Sequence, residues 1–174
     1  YKIMTHCHSG EALALIKEAW KDVGRLEVYA TETEPKHQGI KTAKELAKLK
    51  IPVTVIEDPA SGYFMEDMDC VIVGTDALRK EGVVNKIGTL VLAIVAKKFK
   101  VPFYVAGSTF KLDRRKTLII EERPVSEVYA NLKELKGVNV RNPAFDITPW
   151  NLVTRVINEK GVMTPKNLVR MLEC

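Results

Sequence analysis

The sequence lacks any apolar run close to the roughly 20 residues that a membrane-spanning helix needs. It also lacks a basic start followed by an apolar secretory segment, so we expect a soluble, cytoplasmic protein with no membrane partner. Cysteine is scarce, and Cys7, Cys70 and Cys174 are an odd number without the spacing of zinc ligands. Neither disulfides nor a structural zinc site is therefore expected.

No strong excess of one charge is present either. The net charge of +5 comes from 27 basic and 22 acidic residues that are spread through the same segments. This balance argues against nucleic acid as a partner, whereas it suits a phosphorylated metabolite.

Three well-known motifs are also missing. No G-x-G-x-x-G follows a predicted strand, and neither G-x-x-x-x-G-K-[ST] nor G-x-S-x-G occurs. These absences exclude a dinucleotide fingerprint, a P-loop and a serine nucleophile elbow.

What is present predicts one α/β domain, because 174 residues with 46% hydrophobic content can bury one substantial core. Helical apolar spacing alternates with short strand-like runs. The predicted strands are the first residues from Tyr1, then Leu26–Thr31, Pro52–Ile56, Cys70–Val73 and Pro102–Gly107. This order predicts right-handed crossovers and a Rossmann-like, doubly wound parallel sheet with helices on both faces.

The last third of the sequence is less regular. We predict strands at Leu118–Ile120 and Val138–Val140, a loop over Asn142–Pro149, and helices over Trp150–Glu159 and Pro165–Leu172. The Thr-Pro pair that ends the loop fits a helix N-cap followed by proline. The chain opens inside a predicted central strand without an initiating Met, so we interpret it as part of a longer protein.

Polar side chains follow the ends of several predicted strands. Cys7 and Ser9 follow the first strand, Gln38 lies beyond the second, Asp76 follows the fourth and Lys111 the fifth. Because the carboxyl ends of parallel strands meet at one edge of the sheet, we expect these side chains to face one crevice. The start of a helix beside Cys7 suits an anion and is expected to lower the pKa of the thiol.

Each candidate also has a plainer interpretation. Cys7 fits a buried small hydrophobic residue, and Asp76 fits a turn or capping residue. Asn85 and Lys86 fit an N-cap and a solvated lysine in the first turn of a helix. The cluster His6-Cys7-His8 could hold a metal, but adjacent strand positions point to opposite faces and no second cluster has zinc-like spacing.

Several separate motifs in a fixed order carry a family resemblance. They are Thr5-His6-Cys7-His8-Ser9, Glu32-Thr33 with Pro35, Gln38-Gly39, Ile72-Val73-Gly74-Thr75-Asp76, Asn85-Lys86-Ile87-Gly88-Thr89 and Asn142 to Pro149. Through them the chain resembles, essentially end to end, the translation initiation factor 2B alpha/beta/delta superfamily, which also contains sugar-phosphate isomerases. It is most similar to the archaeal isomerases of ribose 1,5-bisphosphate, and then to those of 5-methylthioribose 1-phosphate. Glu34 stands where the family usually has Arg.

The resemblance implies conversion of ribose 1,5-bisphosphate to ribulose 1,5-bisphosphate, an aldose-to-ketose isomerisation that needs no metal or other cofactor. By the family's pattern, Cys7 takes the proton from the second carbon of the sugar and Asp76 is the proton donor. The residues implied to hold the hydroxyls and phosphates of the substrate are Ser9, Gly10, Glu11, Gln38, Asn85, Lys86 and Lys111. Because Asp76 must be protonated to donate, we expect a dehydrated site that raises its pKa.

The resemblance also allows a regulatory subunit of an initiation factor 2B-like complex that binds initiation factor 2 alpha, or a purely structural oligomerisation domain. Non-catalytic relatives generally lack the Cys and Asp pair, which this chain retains, so the enzyme is favoured. Residues 1–174 then correspond to the C-terminal catalytic domain, without the family's N-terminal helical domain. A homo-oligomer is expected through this half, with Phe145, Trp150 and the terminal helices at the interface.

Overall fold

A seven-stranded, mostly parallel sheet forms the centre of the computed structural model, which describes residues 1–173 and the side chains of all of these except Lys133 and Leu135. Its strands are β1 (Lys2–Thr5), β2 (Glu27–Thr31), β3 (Val53–Ile56), β4 (Cys70–Val73), β7 (Phe103–Ala106), β9 (Arg155–Asn158) and β10 (Gly161–Met163). A second, antiparallel sheet contains β5 (Ala77–Leu78), β6 (Val83–Lys86) and β8 (Phe145–Thr148).

The strand order in the large sheet is β10-β9-β7-β4-β1-β2-β3, and the β9 to β10 pairing alone is antiparallel. The chain therefore adds β2 and β3 on one side of β1, and β4, β7 and β9 on the other. This reversal creates a topological switch point between β1 and β4, where open α/β sheets form a crevice outside the carboxyl ends of the strands. The predicted doubly wound fold is confirmed.

Helices cover both faces of the large sheet. They are α1 (Gly10–Val23), α2 (Gln38–Lys48), α3 (Ser61–Phe64), α4 (Thr89–Phe99) and α5 (Pro165–Glu173). Helix α1 begins where the Ser9 hydroxyl accepts a hydrogen bond from the Ala12 N–H, and it ends at Gly24 in a left-handed conformation. Within residues 1–173, no helix has both the length and the apolar character that crossing a bilayer demands.

The core consists of two apolar clusters, one on each face of the sheet. Adjacent β1 residues alternate between them, so that Ile3 packs with Leu13 and Ile16 of α1, while Met4 packs with Leu92 of α4. Both clusters bury residues of the central strands almost completely. The helices packed on the two faces of the sheet hold its strands in place, and the crevice lies at the carboxyl ends of these strands.

The last third of the chain departs from the sequence-based predictions. Residues Leu118–Ile120 and Val138–Val140 form no strand, and Ile119 and Val138 are 86% and 59% exposed, so these apolar runs are not buried in a sheet. The predicted helix Trp150–Glu159 is instead a single 3-10 turn followed by β9, whose Val156 is buried against β7. The predicted helix at Pro165 is confirmed as α5.

Two further corrections concern the small sheet. The predicted loop over Asn142–Pro149 contains β8, and the predicted start of a helix at Asn85 and Lys86 is strand β6, since α4 begins only at Thr89. Pairing between β6 and β8 places Asn85 opposite Asp146. This long-range pairing, which local sequence does not encode, overrides the helix-start pattern.

Candidate active site

One pocket of about 330 Å³ opens at the switch point of the large sheet. It is lined by Cys7, His8, Ser9, Gly10, Glu11, Gln38, Thr75, Asp76, Asn85, Lys86, Lys111, Glu121, Arg123, Ala144 and Phe145. All nine residues that the sequence singled out are among these. The structure thus brings together the two candidate acid/base residues and all seven candidate binding residues.

Cys7 lies two residues beyond the end of β1 and adopts a left-handed backbone conformation, with φ of 69°. Burial raises the pKa of its thiol above the ordinary value, although the backbone N–H of His8 and the charge of Lys86 act in the opposite direction. The lowered pKa expected from the sequence is therefore wrong. The thiol precedes the first residue of α1 by three positions, and the Ala12 N–H at the start of that helix is taken by Ser9.

Asp76 follows β4 and enters the same pocket from the other side of the switch point. Its N–H donates to the Val84 carbonyl at 2.8 Å, which ties the residue to the small sheet. Burial raises the pKa of the Asp76 carboxyl, against the opposing charges of Lys111 and Lys86. The expected direction of this shift is confirmed, and a raised pKa keeps a larger fraction of the carboxyl protonated.

Lys86 is a buried cation in the wall of the pocket. Only 8% of the residue is exposed, and its Nζ lies 5.8 Å from the centre of the Phe145 ring. None of the ion pairs formed among residues 1–173 includes Lys86. Neighbouring Asn85 is also buried, and its Nδ2 donates to the Thr89 hydroxyl at 3.0 Å. Neither residue is the solvated helix-start residue of the plainer interpretation.

The second lysine of the pocket is already paired. Lys111 Nζ lies 2.5 Å from a Glu11 carboxylate oxygen and donates to the Thr75 carbonyl at 2.7 Å. Burial alone acts to raise the pKa of the Glu11 carboxyl, but the hydrogen bond from Lys111 holds it below its ordinary value. Lys111 and Glu11 thus largely cancel each other's charge, which leaves Lys86 as the cation best placed for an anion.

Two close backbone approaches bring the remaining polar groups into place. A Cβ at Gly39 would lie 1.7 Å from the Thr31 carbonyl oxygen, so glycine lets the first turn of α2 pack on the end of β2. This packing delivers Gln38, whose Oε1 is buried without a hydrogen-bond partner among the described residues. A Cβ at Gly74 would lie 2.2 Å from the Ser9 hydroxyl, so Gly74 likewise admits Ser9 beside β4.

Sequence reasoning missed several residues of the pocket wall. Glu121 and Arg123 come from an irregular segment in which no periodicity marks them, and Arg123 donates to both Glu127 carboxylate oxygens at 2.8 and 2.7 Å. Phe145 belongs to a motif that the family resemblance had identified. Its role as the platform beneath Lys86 became visible only with strand β8.

The two histidines beside Cys7 have partners other than a metal. His6 Nε2 donates to the Ile87 carbonyl at 2.8 Å and Nδ1 lies 2.7 Å from the Thr31 hydroxyl, while burial lowers the pKa of the ring. His8 Nδ1 lies 3.1 Å from the Thr42 hydroxyl. Potential metal ligands also cluster at Glu32, Glu34 and His37, but these lie outside the pocket, and nothing beyond their proximity points to an ion.

The free cysteines of the described chain are Cys7 and Cys70, and Cys174 lies outside the described residues. Glu34, the departure from the family pattern, is half exposed and contacts the His37 ring rather than the pocket. The negative charge of Glu34, at the position where the family usually has Arg, is therefore not part of the pocket wall.

The fold and pocket define a Rossmann-like α/β domain with a polar site at its switch point. The model of the Initiation factor 2 subunit family matches residues 1–165, and the chain belongs to that family. It is 43% identical over 171 residues to the ribose 1,5-bisphosphate isomerase of Archaeoglobus fulgidus, covering 95% of this chain and 55% of that protein. It is 40% identical over 185 residues to the methylthioribose-1-phosphate isomerase of Acetivibrio thermocellus, covering 95% and 54%.

A solved structure gives the same picture of the fold. The crystal structure of translation initiation factor eIF-2B, subunit delta, from A. fulgidus superposes with a TM-score of 0.90 at 36% identity, covering 99% of this chain and 57% of that one. The chain thus spans a little over half the length of the relatives it matches.

Proposed function

We propose that this chain is the catalytic half of a sugar-phosphate isomerase that converts ribose 1,5-bisphosphate to ribulose 1,5-bisphosphate. The observation that carries the proposal is the pocket in which Cys7, Asp76 and the unpaired, buried Lys86 meet. A thiol and a carboxyl shielded from water are a suitable pair for proton transfer next to a carbonyl. The names of relatives at about 40% identity support the same reaction class.

In this proposal the two titratable groups divide the proton transfers between them. Cys7, as thiolate, removes the proton from the second carbon of the sugar, and Asp76, as the acid, protonates the ring oxygen as its bond to carbon one breaks. The resulting enol becomes the ketone when carbon one gains a proton and the hydroxyl on the second carbon loses one. Substrate and product are isomers, so no external oxidant or reductant enters the balance. The raised pKa of the Asp76 carboxyl supports its role as donor.

The polar groups around the pair account for substrate binding. Lys86 supplies the positive charge for a phosphate, and the start of α1 near Ser9 and Gly10 supplies N–H groups. The unpartnered Oε1 of Gln38 is an acceptor for a sugar hydroxyl. Asn85, Glu11 and Lys111 complete the polar wall of the pocket.

The proposal extends to the phosphate that this pocket binds. Lys86 has no carboxylate partner within the described chain, whereas Lys111 and Arg123 are paired with Glu11 and Glu127. One unpaired cation suits one phosphate, and we assign it the phosphate on carbon one, which both candidate sugars carry and which adjoins the reacting second carbon. The group on carbon five is assigned to the N-terminal helical domain that we propose elsewhere in the full-length protein.

The experiment is a turnover assay of the full-length protein on ribose 1,5-bisphosphate and on methylthioribose 1-phosphate, with residues 1–174 alone in parallel. Formation of the ketone is followed by its carbon-13 signal at the second carbon. We expect full-length protein to favour the bisphosphate by about tenfold or more in kcat/KM. Turnover of neither sugar would contradict the proposal.

The main alternative is a regulatory subunit that binds initiation factor 2 alpha, and the observation in its favour is the similarity to a structure named as a subunit of eIF-2B. A pull-down with purified initiation factor 2 alpha distinguishes the two functions. Capture of the factor by a protein that turns over neither sugar would replace the enzyme with the regulatory subunit.

We also propose that the protein forms a homo-oligomer through this half. Val91 and Ile94 on α4 are 60% and 51% exposed, as expected of an apolar face that a second copy covers. Phe145 and Trp150 were expected at this interface from the sequence. Within the chain, the Phe145 ring lies beneath Lys86, and the Trp150 Nε1 donates to the Arg79 carbonyl. A monomer in sedimentation at micromolar concentration would contradict the oligomer.

A further inference from the structure

The backbone of Cys7 is held in a conformation that a cysteine rarely adopts. Its φ of 69° lies in the left-handed region, and Thr33, which contacts it, has a φ of 64°. Residues with a side chain persist in this region only where their surroundings hold them there, and such positions cluster at functional sites. The contacts around Cys7 therefore bear on how its thiol is aimed.

Two threonine hydroxyls satisfy both main-chain polar groups of Cys7. The Cys7 N–H donates to the Thr33 hydroxyl at 2.8 Å, and the Thr42 hydroxyl donates to the Cys7 carbonyl at 2.8 Å. Thr33 and Thr42 are 0% and 2% exposed, and neither lines the pocket. They contact the main chain of Cys7 without being in a position to contact a substrate.

Each threonine is itself anchored in a different element. The Thr33 N–H donates to a carboxylate oxygen of Asp58 at 2.7 Å, and its hydroxyl donates to the Thr31 carbonyl at 3.1 Å. Thr42 lies in α2, where its hydroxyl is 3.1 Å from His8 Nδ1. Cys7 is thus fixed between the end of β2 and helix α2.

We propose that Thr33 and Thr42 are positioning residues that clamp the Cys7 main chain and so aim its thiol into the pocket. This inference rests on the proposed function for its catalytic consequence. In the clamped conformation the backbone N–H of His8 lowers the pKa of the Cys7 thiol, against the burial that raises it. Loss of either hydroxyl leaves a main-chain group of Cys7 unsatisfied, which allows the backbone to relax and the sulfur to turn away.

The test compares Thr33→Val and Thr42→Val with Thr33→Ser and Thr42→Ser in the full-length protein. Valine keeps the shape of threonine without the hydroxyl, and serine restores the hydroxyl. Thr154→Val is the matched control, because the Thr154 hydroxyl also accepts a main-chain hydrogen bond, from the Phe103 N–H at 2.9 Å, at the opposite end of the sheet.

Two readouts separate positioning from general stability. The first is the pH profile of Cys7 alkylation by iodoacetamide, quantified on the tryptic peptide of residues 3–17, in which Cys7 is the sole cysteine. The charged groups facing the thiol, Lys86, Asp76 and Asp58, are unchanged in every variant. The second readout is kcat and KM on ribose 1,5-bisphosphate.

We expect both valine variants to shift the alkylation profile to higher pH and to lower kcat by about tenfold or more with little change in KM. The serine variants and Thr154→Val should behave like the unsubstituted protein in both readouts. An alkylation profile that the valine substitutions leave in place, or that serine fails to restore, would overturn the proposal. Failure of the unsubstituted protein to turn over the sugar refutes the proposed function, whereas the alkylation profile still decides the clamp.

Discussion

At the scale of single residues, Lys86 is the strongest pointer to an anionic ligand. Lys86 is 8% exposed, lines the pocket and has no carboxylate partner in an ion pair among the described residues. The Phe145 ring offers only a weak cation–π contact in place of an ion pair. The arrangement is consistent with a pocket whose counter-charge arrives with the substrate.

We expect Lys86→Met to leave the unfolding temperature of the ligand-free protein unchanged or higher, because the variant buries no unpaired charge. Inorganic phosphate should raise the unfolding temperature of the unsubstituted protein but have far less effect on the variant. Calorimetry over a range of phosphate concentrations measures both effects. Lys98→Met, on the exposed face of α4, is the control, and equal stabilisation of the Lys86 variant by phosphate would contradict this role.

At this scale the sequence predicted which residues meet, because every candidate followed a recognisable strand or belonged to a family motif. The sequence predicted a lowered pKa for the Cys7 thiol, and this prediction was wrong, since the pKa is raised. The dominant cause of that shift is burial by residues far apart in the chain, and local spacing carries no information on burial.

At the scale of elements, the small sheet is where sequence reasoning was weakest. Strand β5 has two residues, and β6 and β8 pair with each other across about sixty intervening positions. Local patterns at Asn85 and Asn142 resembled a helix start and a loop, since short strands in a small sheet have little periodicity of their own. Five strands of the large sheet, β1 to β4 and β7, were predictable from their short apolar or alternating runs, whereas β9 lies in a segment that was predicted to be a helix.

The small sheet also stabilises the helix beside the pocket through Asp146. The Asp146 carboxylate accepts hydrogen bonds from the Gly88 N–H at 2.8 Å and from the Leu90 N–H at 3.1 Å, at the start of α4. Burial, opposed by these two hydrogen bonds, raises the pKa of the Asp146 carboxyl to about 6. Because the folded pKa exceeds the unfolded one, this group lowers stability as pH rises through the interval up to about 6.

We therefore expect Asp146→Asn to remove the loss of folding stability that ionisation of Asp146 causes. Relative to the unsubstituted protein, the variant should become more stable as the pH is raised to about 6. Urea unfolding at an acidic and at a neutral pH measures the difference. Asp146→Ala, which removes the cap altogether, should lose about 1 to 2 kcal/mol at acidic pH. A difference between Asp146→Asn and the unsubstituted protein that is independent of pH would contradict this account.

At the scale of the whole molecule, the switch point between β1 and β4 explains why Cys7 and Asp76 share a pocket. Burial raises both pKa values, which favours the thiol form of Cys7 and the protonated form of Asp76, whereas catalysis needs the thiolate and the acid. The active form is then a small fraction of the protein.

This predicts a rate profile with a broad plateau. In kcat/KM, activity should rise with pH up to the pKa of Asp76, because the thiolate fraction increases while the acid stays protonated. It should then stay level and fall above the pKa of Cys7, where the thiolate is complete and the acid continues to be lost. A steady-state pH series measures it, and a rate that keeps rising through the alkaline range would contradict the assigned roles.

The most direct test of the central claim is the kinetics of Cys7→Ser and Asp76→Asn in the full-length protein, with folding verified by circular dichroism. We expect each substitution to lower kcat on ribose 1,5-bisphosphate by about 100-fold or more, because a general acid or base is lost, while stabilisation by phosphate persists. If either variant turns over the sugar at a rate close to that of the unsubstituted protein, Cys7 and Asp76 are not the acid/base pair.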